Sequence, residues 1–510
     1  MKKISLYFLP LILFVSFLLG SRMILAGDFF YLYDQARDYL LVRNVVDFHE
    51  IMLIGNRSGL GGFFHGPLWI YILSPVYISG RGNPLGFAYF YIFIQMFTIV
   101  IAFIVGSKLY GYKGGLLISL LTSLSPVIFS TVPNMISPNL EPLVYLALFY
   151  FLIKFWRGDS KSYIFAIFFA GLSLQFETSS ALVLMPAVVI SYFFNKKAVK
   201  NLKLIFLSLI SYILSLPTFI LFDLRHNFLM THALLGAFRG GPKGKGYLEL
   251  GGRILAHLNS LLGVYRSVLL NQGKYLVVLF VIIIVFAFIA VLRNKSFKFK
   301  KEFMLLLAFP ALMYVFFIFY PYMVWPEYVF GLVVPVILAF YLSISVVWRN
   351  NVGKFLIILF FSITFFGVFG SIYHQYLQKY QPNNTAGSYL NQKAVVDWIF
   401  KDAARGKFGY FVYTPEVFTH GMDYLFYWEA KNNLGKIPVN SKELTTYLIL
   451  YPHLENDEGA YDYWKKNTIK TNGQIILTKI FNGGITVEKL LISKGEPEVD
   501  PNYFQGLLFR

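Results

Sequence analysis

Two short polar clusters interrupt the apolar N-terminal part of the chain: Tyr33-Asp34-Gln35-Ala36-Arg37-Asp38, then His65-Gly66-Pro67-Leu68-Trp69. A carboxylate such as Asp34 can take up a proton, bind a metal or pair with Arg37 one helical turn away. The His65 imidazole can hydrogen-bond a phosphate. Gly55, Gly59, Gly61 and Gly62 leave the preceding loop deformable enough to close over a ligand. Two further carboxylates occupy costly places. Glu141 ends the proline-rich turn Pro133–Pro142 and starts an apolar run, which is expensive unless it caps a helix or faces a polar cavity. Glu177, in Gln175-Phe176-Glu177-Thr178, lies between two short apolar runs. Arg239-Gly240-Gly241-Pro242-Lys243-Gly244-Lys245-Gly246 is basic and glycine-rich, and suits a phosphate or pyrophosphate. It lacks the Gly-Lys-Ser/Thr ending of a nucleotide P-loop and follows no strand.

Each cluster also has a plainer reading. Asp34 and Arg37 can form an i,i+3 surface pair worth a few tenths of a kcal/mol. His65 can open an interfacial aromatic belt through Trp69, Tyr71 and Tyr77. Glu141 can be a cap, Glu177 can sit at the water surface, and the basic loop can simply be solvated. For a metal, the histidines are scattered and no His-Glu-x-x-His occurs. Asp34 and Glu141 would share a divalent ion only if folding brings them together.

The elements that must position these residues follow from composition. Of 510 residues, 57% are hydrophobic, 19% aromatic and 14% charged. A soluble globular chain carries about 25% charged residues, so this one cannot coat a water-facing surface. Mean hydropathy is +0.59. Leu6–Leu19, Tyr275–Leu292 and Phe355–Phe369 contain no charge, and such runs approach the length that crosses a bilayer core. The absence of cysteine excludes disulfides, Cys-ligated zinc and thiol catalysis. Ile24-Leu25-Ala26 is a poor cleavage site, so the first apolar run is read as an uncleaved helix.

The pattern predicts a polytopic α-helical membrane protein of about 11 spans, near 4–24, 85–106, 115–132, 141–156, 162–177, 180–194, 204–222, 274–292, 303–320, 327–347 and 354–373. Alternating from an inner N-terminus, the inner segments gather 18 Lys and Arg against Asp159 and Glu302, which is +16 of the net +19. The positive-inside rule thus explains the basic balance without nucleic acid, and leaves membrane lipids as the anionic contacts. Outside lie loop 25–84, the turn 133–142, the stretch after Phe222 and everything after Tyr373. We divide the chain into a transmembrane domain, 1–373, and a small extracytoplasmic α/β domain, 374–510. In the latter, Gln392–Ala404 has helical spacing and Phe408–Tyr413 reads as a strand. Gly473–Ile480 and Ile485–Ile492 flank Asn482-Gly483-Gly484 as a hairpin.

Asp34-Gln35-Ala36-Arg37, His65-Gly66-Pro67-Leu68 and Ser137-Pro138-Asn139-Leu140-Glu141-Pro142, in that order, resemble the GT-C glycosyltransferases, especially the protein O-mannosyltransferase and lipid A aminoarabinose transferase group. The family's first outer loop carries an Asp-Glu pair, a nearby Arg and a Lys- or His-Pro-Pro segment. Here Gln35 replaces the Glu and Gly66 the first proline. The resemblance implies a polyprenyl-phosphate sugar donor, an acceptor hydroxyl on a protein, lipid or glycan, and inverting transfer at the outer face. Asp34 is then the general base. Arg37, His65, Arg239 and Lys243 neutralise the lipid phosphate, while Glu141 and Glu177 position substrate or, for Glu141 with Asp34, assist a metal. The outer domain would help define the acceptor. Two other classes fit the composition: a lipid-linked glycan polymerase, ligase or flippase, and a non-enzymatic transporter or scaffold. Few charges fall inside the later spans, which counts against a flippase.

Overall fold

The computed structural model describes residues 7–59, 61–128, 135–195, 201–238, 247–267, 273–294, 297–377, 382, 384–414, 418–452, 459–493, 495–503 and 507. The membrane part begins with α1 (Phe8–Leu25), α2 (Tyr33–Val46), α3 (Leu68–Gly80), α4 (Pro84–Tyr110), α5 (Tyr112–Ser123) and α6 (Glu141–Trp156). It continues through α7 (Ser162–Leu172), α8 (Thr178–Tyr192), α9 (Leu202–Leu214), α10 (Pro217–Arg225), α11 (Leu229–Phe238) and α12 (Leu250–Ser267). The last four are α13 (Lys274–Arg293), α14 (Lys300–Phe317), α15 (Val333–Val347) and α16 (Asn351–Tyr376). Every apolar segment read from the sequence holds a helix, but the count of eleven spans is not confirmed by length. Among the described residues six helices are long and apolar enough to span, or seven if α9 and α10, bent by 67° at Pro217, form one broken span. The α3, α7–Gln175 and α8 helices are shorter.

The apolar faces sort by partner. Around α15, 78% of the spanning window is buried, as befits a helix hydrophobic all round. On α16 only 17% is buried, and Phe365, Phe366 and Phe369 project outward to where lipid would cover them. The basic segments read as inner meet at one end. There the Arg157 guanidinium donates from Nε and Nη2 to Glu302 at 2.7 and 2.9 Å. Lys301 Nζ donates to the carbonyls of Trp156 and Phe194 at 3.1 and 2.6 Å.

At the opposite end α2 lies across the bundle. Gln35 Oε1 accepts from the Leu32 N–H at its start (3.0 Å), and Ala36, Tyr39 and Leu40 are buried. Against it sits a five-stranded sheet ordered β2-β1-β3-β5-β4, with β1 (Gly406–Tyr413), β2 (Lys436–Val439), β3 (Thr445–Leu450), β4 (Gln474–Ile480) and β5 (Thr486–Leu491). The first three strands are parallel; β5 and β4 run antiparallel, forming the expected hairpin. Helix α17 (Tyr389–Asp402) precedes β1 and α18 (His420–Asn432) links β1 to β2. This unit is stitched to the chain's beginning. Tyr31 N–H donates to Gly387 O (2.8 Å), Tyr389 N–H to Phe29 O (2.9 Å), and Ser388 Oγ to Asp28 Oδ1 (2.5 Å).

Candidate active site

Between α2 and the neighbouring ends of the spans lies a polar cavity of about 460 Å³. Helix α2 contributes Tyr33, Asp34 and Arg37 from its first two turns. Loop one adds Arg57, Gly59 and His65; the turn before α8 adds Glu177; the segment before α15 adds Trp325, Glu327 and Tyr328; and Phe418 closes it from the sheet unit.

The Arg37 guanidinium is held between two carboxylates. Nη1 donates to Asp34 Oδ1 at 2.5 Å, and Nε and Nη2 donate to Asp38 Oδ1 at 3.1 and 3.0 Å. The two acids differ. Asp38 is 1% exposed and also accepts from Trp69 Nε1 at 2.9 Å, whereas the Asp34 side chain is 38% exposed at the cavity. Burial pushes Asp38 up to about 6 while Arg37 pulls it back. Asp38 therefore orients the arginine, and Asp34 is the carboxylate of the pair that lines the cavity.

His65 lines the cavity as expected, but as a neutral ring. Burial, then the neighbouring Arg37 charge, hold it down at about 3. The Thr178 N–H donates to its Nδ1 at 3.3 Å, which leaves the proton on Nε2. His65 can thus donate a hydrogen bond from Nε2. Among the glycines here, Gly61 meets open space and Gly62 takes a positive φ, while two others sit against neighbours. A Cβ on Gly66 would strike the Gln175 amide, and one on Gly59 would strike the Tyr328 hydroxyl, so both permit close packing.

Glu177 is 2% exposed and caps α8 by accepting from Ser179 N–H at 2.9 Å. Burial raises its carboxyl to about 8, with Glu327 adding repulsion. Glu141 lies deeper. It is fully buried, is absent from the cavity wall, and accepts from Ser173 Oγ at 2.7 Å. The run that starts at Glu141 enters the bundle interior directly, and the Ser173 hydrogen bond ties the start of α6 to the segment that follows α7. Among the described residues no group of three or more His, Asp or Glu is arranged to hold a metal ion. Arg239 and Lys243 lie outside the described residues.

Sequence reasoning missed Arg57, Trp325, Glu327 and Tyr328. Glu327 carried a usable signal: Trp-Pro-Glu immediately before an apolar run repeats the costly placement that singled out Glu141.

The arrangement of a spanning bundle, an amphipathic helix across one end, a polar cavity beneath it and an α/β unit above it is a fold shared with ArnT. No family model matches the chain, and no curated protein matches its sequence. Among solved structures, ArnT from Cupriavidus metallidurans in the apo state superposes with a TM-score of 0.61 at 10% identity, over 96% of this chain and 98% of that one. The same protein bound to undecaprenyl phosphate gives 0.55 at 10% identity, over 98% and 100%. The oligosaccharyltransferase AglB from Archaeoglobus fulgidus gives 0.46 at 10% identity, over 88% and 69%.

Proposed function

We propose that this chain transfers a sugar from a polyprenyl-phosphate donor to an acceptor hydroxyl at the outer face of a cell membrane, with inversion, its sheet unit on that outer side. The observation that carries this reading is the placement of Asp34 and Arg37 on one wall of a polar cavity at the membrane boundary. The fold shared with ArnT, a protein solved with undecaprenyl phosphate, supports the donor class.

The chemistry needs no general acid. The acceptor oxygen attacks the anomeric carbon from the face opposite the phosphate, and the bond from that carbon to the phosphate oxygen breaks. The electron pair leaves on the lipid phosphate, and the acceptor's proton goes to Asp34. Arg37 and Arg57 supply positive charge to the departing phosphate, and neutral His65 supplies an Nε2–H donor. Arg37 grips Asp34 in the structure, so a phosphate that draws Arg37 away also frees the carboxylate to act as base. The order donor first, acceptor second follows.

The test is sugar release from a panel of radiolabelled polyprenyl-phosphate sugars by the purified wild type and Asp34→Asn in detergent, with added acceptor candidates. Turnover of one donor by the wild type alone supports the reading. Equal turnover in both removes Asp34 from the chemistry, and consumption of no donor rejects the donor class.

A further inference from the structure

Helix α2 carries a second arginine that the transfer chemistry does not use. Arg43 lies six positions beyond Arg37, about 240° around the helix. It lines a separate cavity of about 560 Å³ between α2, α18 and the edge strand β2. Its guanidinium is stacked against two rings, 5.0 Å from the centroid of Phe48 and 4.9 Å from that of Tyr427. Nε and Nη2 both donate to Asn44 Oδ1, at 3.1 and 2.8 Å. The group is fixed in orientation, and Nη1 is left over.

A fixed, half-buried cation is ordinarily met by a carboxylate. Among the described residues, no Asp or Glu forms an ion pair with Arg43. Asp47, one turn further on, is engaged by Lys431, Tyr77 and Tyr427 instead. Asp423, the acid of the cavity's described wall, accepts from the Tyr410 hydroxyl at 3.0 Å and from Thr419 Oγ1 at 2.6 Å. Burial accordingly draws the Arg43 guanidinium below its ordinary value. Nη1 is open to a ligand, because it is not among the buried polar atoms closed off inside the protein. Lys436 stands on the same wall as a second cation, its Nζ donating to Phe400 O.

The surroundings narrow the anion to one with an apolar part. Leu434 and Ile437, on the cavity wall, are 87% and 51% exposed, and Phe48 is exposed beside the guanidinium. Leu507 joins this cavity to a smaller one lined by Phe222 and Arg225, at the end of the broken span α9–α10. The mouth thus stands where that span leaves the bilayer. An arginine fork matches phosphate oxygens and, being weakly hydrated, works well beside apolar side chains. Cations at this level are drawn to the negative surface of anionic lipid.

We propose that the Arg43 cavity binds the phosphate headgroup of an anionic membrane phospholipid, with Leu434 and Ile437 against the start of its chains. The lipid holds the end of α2 to the membrane surface on the side of the sheet unit. Because α2 is one helix, that anchor also steadies Asp34 and Arg37 over the polar cavity at its other end. The lipid is bound and not consumed, and its binding does not depend on the transferase reading.

The experiment is native mass spectrometry of the purified full chain, released from detergent. The probes are dioleoyl phosphatidylglycerol, dioleoyl phosphatidylcholine and dioleoylglycerol, with glycerol 3-phosphate and inorganic phosphate as soluble sources of the same group. The wild type should bind phosphatidylglycerol about tenfold more tightly than phosphatidylcholine, and Arg43→Gln should lose that preference, as expected for one charge-assisted contact. Arg43→Lys, which keeps the charge without the fork, should retain part of it. Lys298→Gln removes a cation beside Phe299, at the Arg157 end of the bundle, and should leave the preference intact. Arg43→Gln breaks no ion pair, so it should melt near wild type in lipid-free detergent and lack the upward shift that phosphatidylglycerol gives the wild type. Should that variant not fold, Lys436→Gln replaces it, with a loss of about threefold expected. The proposal is overturned if phosphatidylcholine or dioleoylglycerol binds as tightly as phosphatidylglycerol. It is also overturned if the substituted cavity keeps the wild-type preference, or if Lys298→Gln loses as much. Soluble phosphate or glycerol 3-phosphate bound as tightly as the phospholipid, and lost in Arg43→Gln, overturns the lipid source.

Discussion

Glu177→Gln tests the electrostatics of the cavity most directly. The carboxyl is buried at the break between two short apolar helices, and its value rises from 4.5 to about 8. The sign follows from linkage. Below pH 4.5 the side chain is protonated folded or unfolded, and burial carries no charge penalty. As pH climbs from 4.5 to 8 the unfolded chain ionises freely while the folded one resists, so wild-type stability falls. Above pH 8 the full penalty, about 5 kcal/mol, is present. Glutamine keeps the amide oxygen that caps α8 and removes the titration. The stability gap in favour of Glu177→Gln should therefore widen by about 3 kcal/mol between pH 6 and 8.5. The assay is thermal denaturation in detergent, followed by tryptophan fluorescence from pH 5 to 9, supported by denaturant titrations at the two ends. Donor KM for the wild type should rise above pH 8, when an ionised Glu177 repels the lipid phosphate, and the variant should not show that rise. Midpoints that run parallel across the range would refute the argument, because they would mean that Glu177 ionises as it does in water.

Three further substitutions separate chemistry from scaffold. Asp34→Asn should lower transfer by about 10²-fold or more while lowering the melting temperature only slightly, since the Asp34 side chain is 38% exposed; kcat and thermal scans on one preparation check both. Asp38→Asn should do the reverse in stability, costing about 3 kcal/mol by stripping a buried arginine of one of its two carboxylates, with a raised donor KM as Arg37 loses its orientation. At the far end of the bundle, Arg157→Gln should cost about 3 kcal/mol because Glu302 stays buried without its partner, and KM values should be unchanged in the protein that remains folded.

Periodicity and charge made much of this architecture legible. The apolar runs are helices, and the basic segments around Arg157 and Lys301 gather at one end. Turn chemistry at Asn482-Gly483-Gly484 located the β4–β5 hairpin. What the sequence concealed was mostly a matter of long-range contact. Strand β2 is four residues with a proline, and β3 is a short run whose role depends on pairing with β1 and β5. At the site, Asp34, Arg37, His65 and Glu177 could be named because polar residues between apolar stretches are conspicuous. The charge state of His65 could not, since it depends on the burial and the Thr178 N–H that only folding brings. Glu141 looked like Glu177 in sequence, yet Glu177 lines the cavity while Glu141 is buried against Ser173.

The stitching of Phe29, Tyr31 and Asp28 to Gly387, Ser388 and Tyr389 bears on when the molecule becomes competent. Asp34 and His65 emerge early in synthesis, whereas Phe418 and Tyr427 emerge more than three hundred residues later, after all the membrane helices. Neither cavity has all its walls until that late unit docks on the first loop. Before that docking the chain would present a carboxylate and an arginine to the bilayer surface without the roof that shapes the site, so the docking itself acts as a late step of assembly.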